Sequence, residues 1–211
     1  GIDTASYASA ASAVTVNLAT TTAQATGGAG SDTLATIENL TGSAFNDILT
    51  GNALANVLDG GAGNDTLTGG AGIDTFTVGS GTDTISDLGN GGADILTVAA
   101  GAIANATINT AWTATSASVN SGTANITTNG LAVNLAAVTS GNGFSVTNTG
   151  VAATLTGSSG ADTLTGGTDA DTLDGGAGND TLTGGAGIDT ASYASAASAV
   201  TVNLATTTAQ A

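Results

Sequence analysis

Large apolar residues stand nine positions apart through two stretches of this chain: Leu49, Leu58, Leu67, Phe76 and Ile85, then Leu164, Leu173 and Leu182. Small polar residues flank most of them, as in "TLT" and "TFT", so one inward side chain sits between two outward ones. That alternation is strand periodicity compressed into three residues. The residues before each apolar position are rich in glycine, which supplies the positive φ angles and close backbone approach of a tight turn. The pattern therefore predicts a turn followed by a very short strand. Strands this short hold only when many stack about 4.8 Å apart in one ladder.

The register of the pattern organises the chain. Residues 42–86 divide into five nines, "GSAFNDILT", "GNALANVLD", "GGAGNDTLT", "GGAGIDTFT" and "VGSGTDTIS". Residues 157–192 give four more, and isolated nines sit at 27–35 and 89–97. The shared template has glycine at places one, two and four, Asp at place six and a large apolar residue at place eight. Between the blocks, from Ile95 to Ala161, no residue carries a formal charge. Alternating stretches there, "LAVNLAAV", "FSVTNTG" and "VAATLTG", predict strands broken at "NSG", "TNG" and "SGNG". Residues 1–26 look alike, with Val14, Val16 and Leu18 on one face, and no stretch has the period or caps of a helix.

Two longer repetitions overlie the short one. The run "GGAGNDTLTGGAGIDT" occurs at 60–75 and at 175–190, and residues 187–211 repeat residues 1–25 without a change. The expectation is a tandem array of 186-residue units from which these 211 residues are a window. Within it we expect an opening β-solenoid segment at 1–41, a first block at 42–97 and an uncharged all-β segment at 98–156. A second block at 157–192 and the start of the next unit at 193–211 complete the division.

Composition sharpens this picture at three points. The 41% of hydrophobic residues are mostly Ala, Val, Leu and Ile, with one Trp, two Tyr and three Phe, so the interior is thin and packed by small aliphatic side chains. Trp112 reads as part of it. There is no Lys, Arg or His, against 16 acidic residues, so every formal charge repels every other. Regular apolar spacing argues against disorder, which leaves bound cations as the counterweight. Nucleic acid is excluded as a partner on the same ground, and direct contact with anionic lipid is disfavoured. Cysteine is absent, and no apolar run has membrane-spanning length, so neither disulfides nor direct membrane insertion is expected.

The nonapeptide is similar to the RTX repeat, GGxGxDxUx with U a large apolar residue. Gly27–Ala35, Gly60–Thr68, Gly69–Thr77 and Gly175–Thr183 match it in full, and the run-in "IENLTGSAFNDILTGNALANVLDGG" is similar to that of large secreted RTX proteins. The resemblance implies an all-β fold, a right-handed parallel β-roll or β-solenoid with two nonapeptides per coil. It implies Ca2+ as the cofactor, several ions per unit. Eleven of the acidic residues occupy place six: Asp3, Asp32, Asp47, Asp65, Asp74, Asp83, Asp94, Asp162, Asp171, Asp180 and Asp189. Calcium takes 6 to 8 oxygen ligands, and a glycine turn exposes carbonyls beside each carboxylate. The resemblance assigns those carbonyls to Gly60, Gly61, Ala62, Gly63, Gly69, Gly70, Gly72, Gly175, Gly176, Ala177, Gly178, Gly184, Gly185 and Gly187.

With two nonapeptides per coil, aspartates 18 residues apart share an edge. Asp47, Asp65 and Asp83 would line one edge of the first block, while Asp162 with Asp180 and Asp171 with Asp189 would line both edges of the second. Asn56 replaces the expected Asp, so a site between it and Asp74 should be weak or empty. The 20-residue step from Asp74 to Asp94 leaves that pairing open, and Asp169, at place four of "GGTDADTLD", either adds a ligand or faces water. Asp59, Asp87 and Asp174 read as solvated turn or edge residues, and Glu38 as surface.

No His, Lys or Cys is present to activate a nucleophile, so an enzyme is not expected. The leading expectation is a calcium-stabilised structural repeat of a secreted bacterial protein forming a rod, filament or surface layer. Its partners would be other copies of the repeat, in tandem and between chains. A ligand-binding or adhesion module on calcium-bound spacers, taking a carbohydrate or another surface ligand, is the alternative. A calcium-dependent export module of a secreted hydrolase or toxin is the second alternative. Millimolar calcium outside the cell fills weak sites that cytosolic calcium does not, so the location is extracellular or cell-surface. The resemblance implies type I secretion from a Gram-negative bacterium.

Overall fold

The computed structural model describes residues 1–204; residues 205–211 of the closing segment lie outside the described residues. Among the described residues there is no helix, hence none long and apolar enough to cross a membrane. The chain is a β-solenoid whose strands mostly have two to five residues. A nine-stranded parallel sheet runs from Thr15–Asn17 to Thr181–Gly185. Opposite it lie a six-stranded sheet from Thr4–Ser6 to Val119–Asn120 and a five-stranded sheet from Trp112–Thr113 to Thr190–Ser192.

The place-eight residues build the core. One inward column of the nine-stranded sheet pairs Val16 with Leu49, Leu49 with Leu67 and Leu67 with Ile85. It continues through Ala106, Ile126, Val146 and Leu164 to Leu182. The facing column stacks Ala5, Leu40, Leu58, Phe76 and Leu96. A third runs Trp112, Val133, Leu155, Leu173 and Ala191. Within the two blocks successive rungs are 18 residues apart, which is two nonapeptides per coil, except for the 20-residue step from Phe76 to Leu96. Across the uncharged segment the steps of the nine-stranded sheet lengthen to 20 or 21 residues, yet its ladder is unbroken, while the facing strands include 22-residue steps and divide into the two smaller sheets. The extra residues go into the turns. Trp112 is fully buried, and its indole N–H donates to the Asp94 carbonyl.

One full template match departs from this pattern. Residues 27–35 form no coil; Gln24–Gly27 and Gly30–Asp32 pair antiparallel as a hairpin. Gly27 and Gly28 lie so close to the Ala13 and Ser12 carbonyls that a side chain on either would collide with them. The motif needs a rung on each side to stack as a coil, and here its glycines pack against the turn that precedes them.

Candidate metal sites

Stacking brings the place-six aspartates into two files along the edges of the solenoid. In each file one carboxylate oxygen accepts the backbone N–H of the residue one coil earlier. Asp65 Oδ1 accepts from Asp47 at 2.8 Å, and Asp83 Oδ1 from Asp65 at 3.0 Å. On the opposite edge Asp74 Oδ1 accepts from Asn56 and Asp94 Oδ1 from Asp74, both at 2.8 Å. The 20-residue step thus keeps its pairing, because the two added residues are absorbed in the turn before Asp94. In the second block Asp180 accepts from Asp162 at 2.9 Å and Asp189 from Asp171 at 3.0 Å.

The second oxygen of each carboxylate distinguishes the sites. Where a block begins, serine at place two satisfies it. The Ser43 hydroxyl donates to Asp47, and Ser158 donates to Asp162 Oδ2 through its amide at 2.7 Å and its hydroxyl at 2.9 Å. Farther into each block no serine stands at place two; Asp94 Oδ2 accepts from the Gly89 amide at 2.7 Å, but four other carboxylates go without such a donor. Asp65 Oδ2, Asp74 Oδ2, Asp83 Oδ2 and Asp171 Oδ2 are buried without a hydrogen-bond partner. The nearby amides are taken: Gly61 N–H donates to Asp59, and Gly69 and Gly70 donate to the two oxygens of Asp87.

The glycines hold these oxygens against neighbouring carbonyls. A methyl group on Gly42 would meet both Asp47 Oδ2 and the Gly60 carbonyl one coil on. Gly166 stands likewise between Asp171 Oδ2 and the Gly184 carbonyl, and Gly60, Gly69, Gly175 and Gly184 each lie against the Oδ2 of their own Asp. Place two is left-handed, with Gly61 at φ 90°, and a side chain there would strike the Ser43 carbonyl. Gly70, Gly176 and Gly185 repeat that approach to Asn52, Ser158 and Gly167. Place four is represented by Gly63 at φ 120°, packed on the Phe45 carbonyl, and repeated by Gly72, Gly178 and Gly187. The Ala62 and Ala177 amides donate to the Ser43 and Ser158 carbonyls at 3.2 Å, tying each turn to the coil before it.

Burying carboxylates beside carboxylates raises their proton affinity. Burial pushes Asp65 up to about 7, against the hydrogen bond from the Asp47 amide, with the Asp83, Asp47 and Asp59 charges adding to the rise. Asp74 rises to about 7, and Asp83 and Asp94 to about 6, burial again leading. Asp162 and Asp180 are also raised by burial.

Of the expected ligands, one stands at the exposed end of a file and one lies outside both files. Asp3 is exposed and donates its N–H to Glu38 Oε2 at 2.8 Å; Asp32 is in the hairpin, where its Oδ2 accepts from the Thr26 hydroxyl at 2.8 Å. The Asp32 charge adds to burial in pushing the Tyr7 hydroxyl up to about 12. Three residues read as solvated prove to be neighbours of the files. Asp87 is buried rather than solvated, since its carboxylate closes the turn at Gly69 and Gly70. Asp59 lies beside Asp65 and Asp83, and Asp174 beside Asp180. Glu38, half-buried, occupies the place-six position of its own coil, between Asp3 and Asn56. The recurring "LDGG" at 58–61 and 173–176 was the available signal for Asp59 and Asp174.

A hard divalent cation fits this donor set. Among the described residues no three carboxylates converge, so carbonyl oxygens must complete any shell. The chain has no basic side chain to neutralise the buried oxygens. Asp65, Asp74, Asp83 and Asp171 would hold calcium together with the carbonyls of the glycine turns, and zinc finds no nitrogen or sulfur ligand. Bound calcium supplies the positive charge that these anionic oxygens lack. Asn56 displays the alternative: its Nδ2 donates to the Glu38 carbonyl at 2.7 Å and its Oδ1 accepts from Asn52. The amide satisfies itself at this position, whereas the Asp74 carboxylate one coil on keeps Oδ2 without a partner.

No curated protein matches the chain. The family model for the RTX calcium-binding nonapeptide repeat (4 copies) matches residues 35–67, 50–85 and 156–191. Those segments contain all four carboxylates with an unpartnered buried oxygen. With its β-solenoid, its aspartate files and this match, the chain carries RTX calcium-binding nonapeptide repeats over residues 35–85 and 156–191.

Proposed function

We propose that the chain is a calcium-stabilised structural unit of a secreted bacterial protein, forming part of an extracellular rod, filament or surface layer. The observation that carries this reading is the set of four buried carboxylate oxygens without a partner in a chain with no basic side chain. Folding without a cation leaves those charges buried together, so folding and ion binding are coupled. A compartment with millimolar calcium is where such a chain is folded, which favours export in the unfolded state.

The rod reading rests on the ladder itself. Each rung contacts only its neighbours, so length is added without a new core, and near-identical copies suit a spacer better than a site. Catalysis is not part of the proposal, because the acidic pairs are committed to the turns and no basic side chain accompanies them. A circular-dichroism titration tests the reading: β signal should be lost in chelator and restored by millimolar calcium. Full β structure in chelator, unchanged by calcium, would refute it.

A further inference from the structure

The two copies of "GIDTAS" occupy complementary halves of one environment. As Thr190–Ser192, the second copy pairs parallel with Thr172–Asp174, with Ala191 opposite Leu173. As Thr4–Ser6, the first copy pairs parallel with Asn39–Thr41, with Ala5 opposite Leu40. The following turn is the same in both, since Ala10 N–H donates to the Tyr7 carbonyl and Ala196 N–H to the Tyr193 carbonyl. Joined through the identical residues, the two halves make a strand paired on both sides.

The acidic edge also continues. Asp171 N–H donates to Asp189, and Asp3, the same residue one unit earlier, donates its own N–H to Glu38. Beyond the turn the copies diverge sharply. Val14 and Val16 are 1% and 0% exposed beneath the strand Ile48–Thr50, whereas Val200 and Val202 are 51% and 41% exposed. Identical residues are core in one place and surface in the other; in the first copy they lie under Gly27 of the hairpin and the coil of residues 39–50.

We infer that consecutive 186-residue units join as one seamless solenoid: Thr190–Ser192, which is Thr4–Ser6 of the next copy, stacks between Thr172–Asp174 and the next copy's equivalent of Asn39–Thr41, and that copy's coil over 39–50 closes over Val200–Leu204. The partner of this end is a second copy of the chain, in register, with no linker between. From Thr15–Asn17 to its equivalent at Thr201 the main sheet contains nine rungs. At about 4.8 Å each, every unit lengthens the rod by about 43 Å. The inference rests on the rod reading above and specifies how its units meet.

The test compares the 211-residue chain with a two-unit chain in which residues 1–186 precede residues 1–211. The single chain is first checked for calcium-dependent β structure; its absence overturns the rod reading and this joint with it. Given a folded single chain, solution scattering in calcium should show the two-unit chain longer by about 43 Å at unchanged cross-section. A smaller increment, or a spread of lengths typical of a hinge, overturns the joint alone. Val202→Asp separates the two states further. At the first joint of the two-unit chain it should lower the melting midpoint by about 5 °C or more, by burying a carboxylate. In the single chain, where Val202 is surface, the midpoint should not move; equal effects in both chains overturn the inference.

Discussion

Replacing Asp65 by asparagine should move calcium-free and calcium-loaded stability in opposite directions. Asp65 is 1% exposed, its Oδ1 accepts the Asp47 amide at 2.8 Å, and its Oδ2 has no partner. Asparagine keeps the acceptor and the shape while removing an anion that burial and the Asp83, Asp47 and Asp59 charges disfavour. The carboxyl is pushed from 3.8 to about 7. At pH 8 a rise of roughly three units corresponds to a ceiling of about 4 kcal/mol. The solenoid edge is thin and close to water, and screening there reduces the gain to about 1 to 2 kcal/mol. In chelator the folded-to-unfolded ratio of Asp65→Asn should therefore exceed that of the parent by a factor of about 5 to 30. With calcium the sign reverses, because one ligand shared by two coils is lost; the calcium midpoint should rise by about tenfold, roughly 1.4 kcal/mol. Far-UV circular dichroism against free calcium, with a series of a stabilising osmolyte at zero calcium to drive the ion-free chain through its folding transition, reads both. A variant less stable in chelator with an unchanged calcium midpoint would make Asp65 a structural acceptor only, and would refute the reasoning.

Two further outcomes follow from the same features. In chelator the native state binds more protons than the unfolded chain between about pH 4 and pH 7, since the Asp65, Asp74, Asp83 and Asp94 carboxyls are raised. Calcium-free stability should thus rise as pH falls through that window, while the calcium midpoint worsens as protons compete; β signal in chelator at pH 5 no greater than at pH 8 would contradict this. Leu67→Ala, between Leu49 and Ile85 in the main column, should cost about 2 to 5 kcal/mol in denaturant melts with calcium. Leu182→Ala, in the half-buried last rung, should cost about 1 kcal/mol or less.

The sequence was most informative where a position meets the same neighbours in every coil. Place eight always faces inward between two rungs, so Leu49, Leu67, Phe76 and Leu164 could be named as core from spacing alone, and all are fully buried. Place six always faces the preceding turn, so the files of Asp65 with Asp83 and Asp171 with Asp189 were legible too. Legibility ended where the neighbours change. Asp87 falls outside the template, and only the stacking of the Gly69 turn one coil earlier reveals that its carboxylate is enclosed. Residues 27–35 match the template in full but have no coil to stack on, so the same letters close a hairpin. Val14 and Val200 make the point most directly, with identical surroundings in sequence and opposite burial. In a solenoid of three-residue strands no segment carries enough apolar area to fix its own structure, so the covering coil decides what the sequence will do. The same dependence makes the chain suited to calcium control: an ion that ties adjacent turns acts on the contact through which every rung obtains its stability.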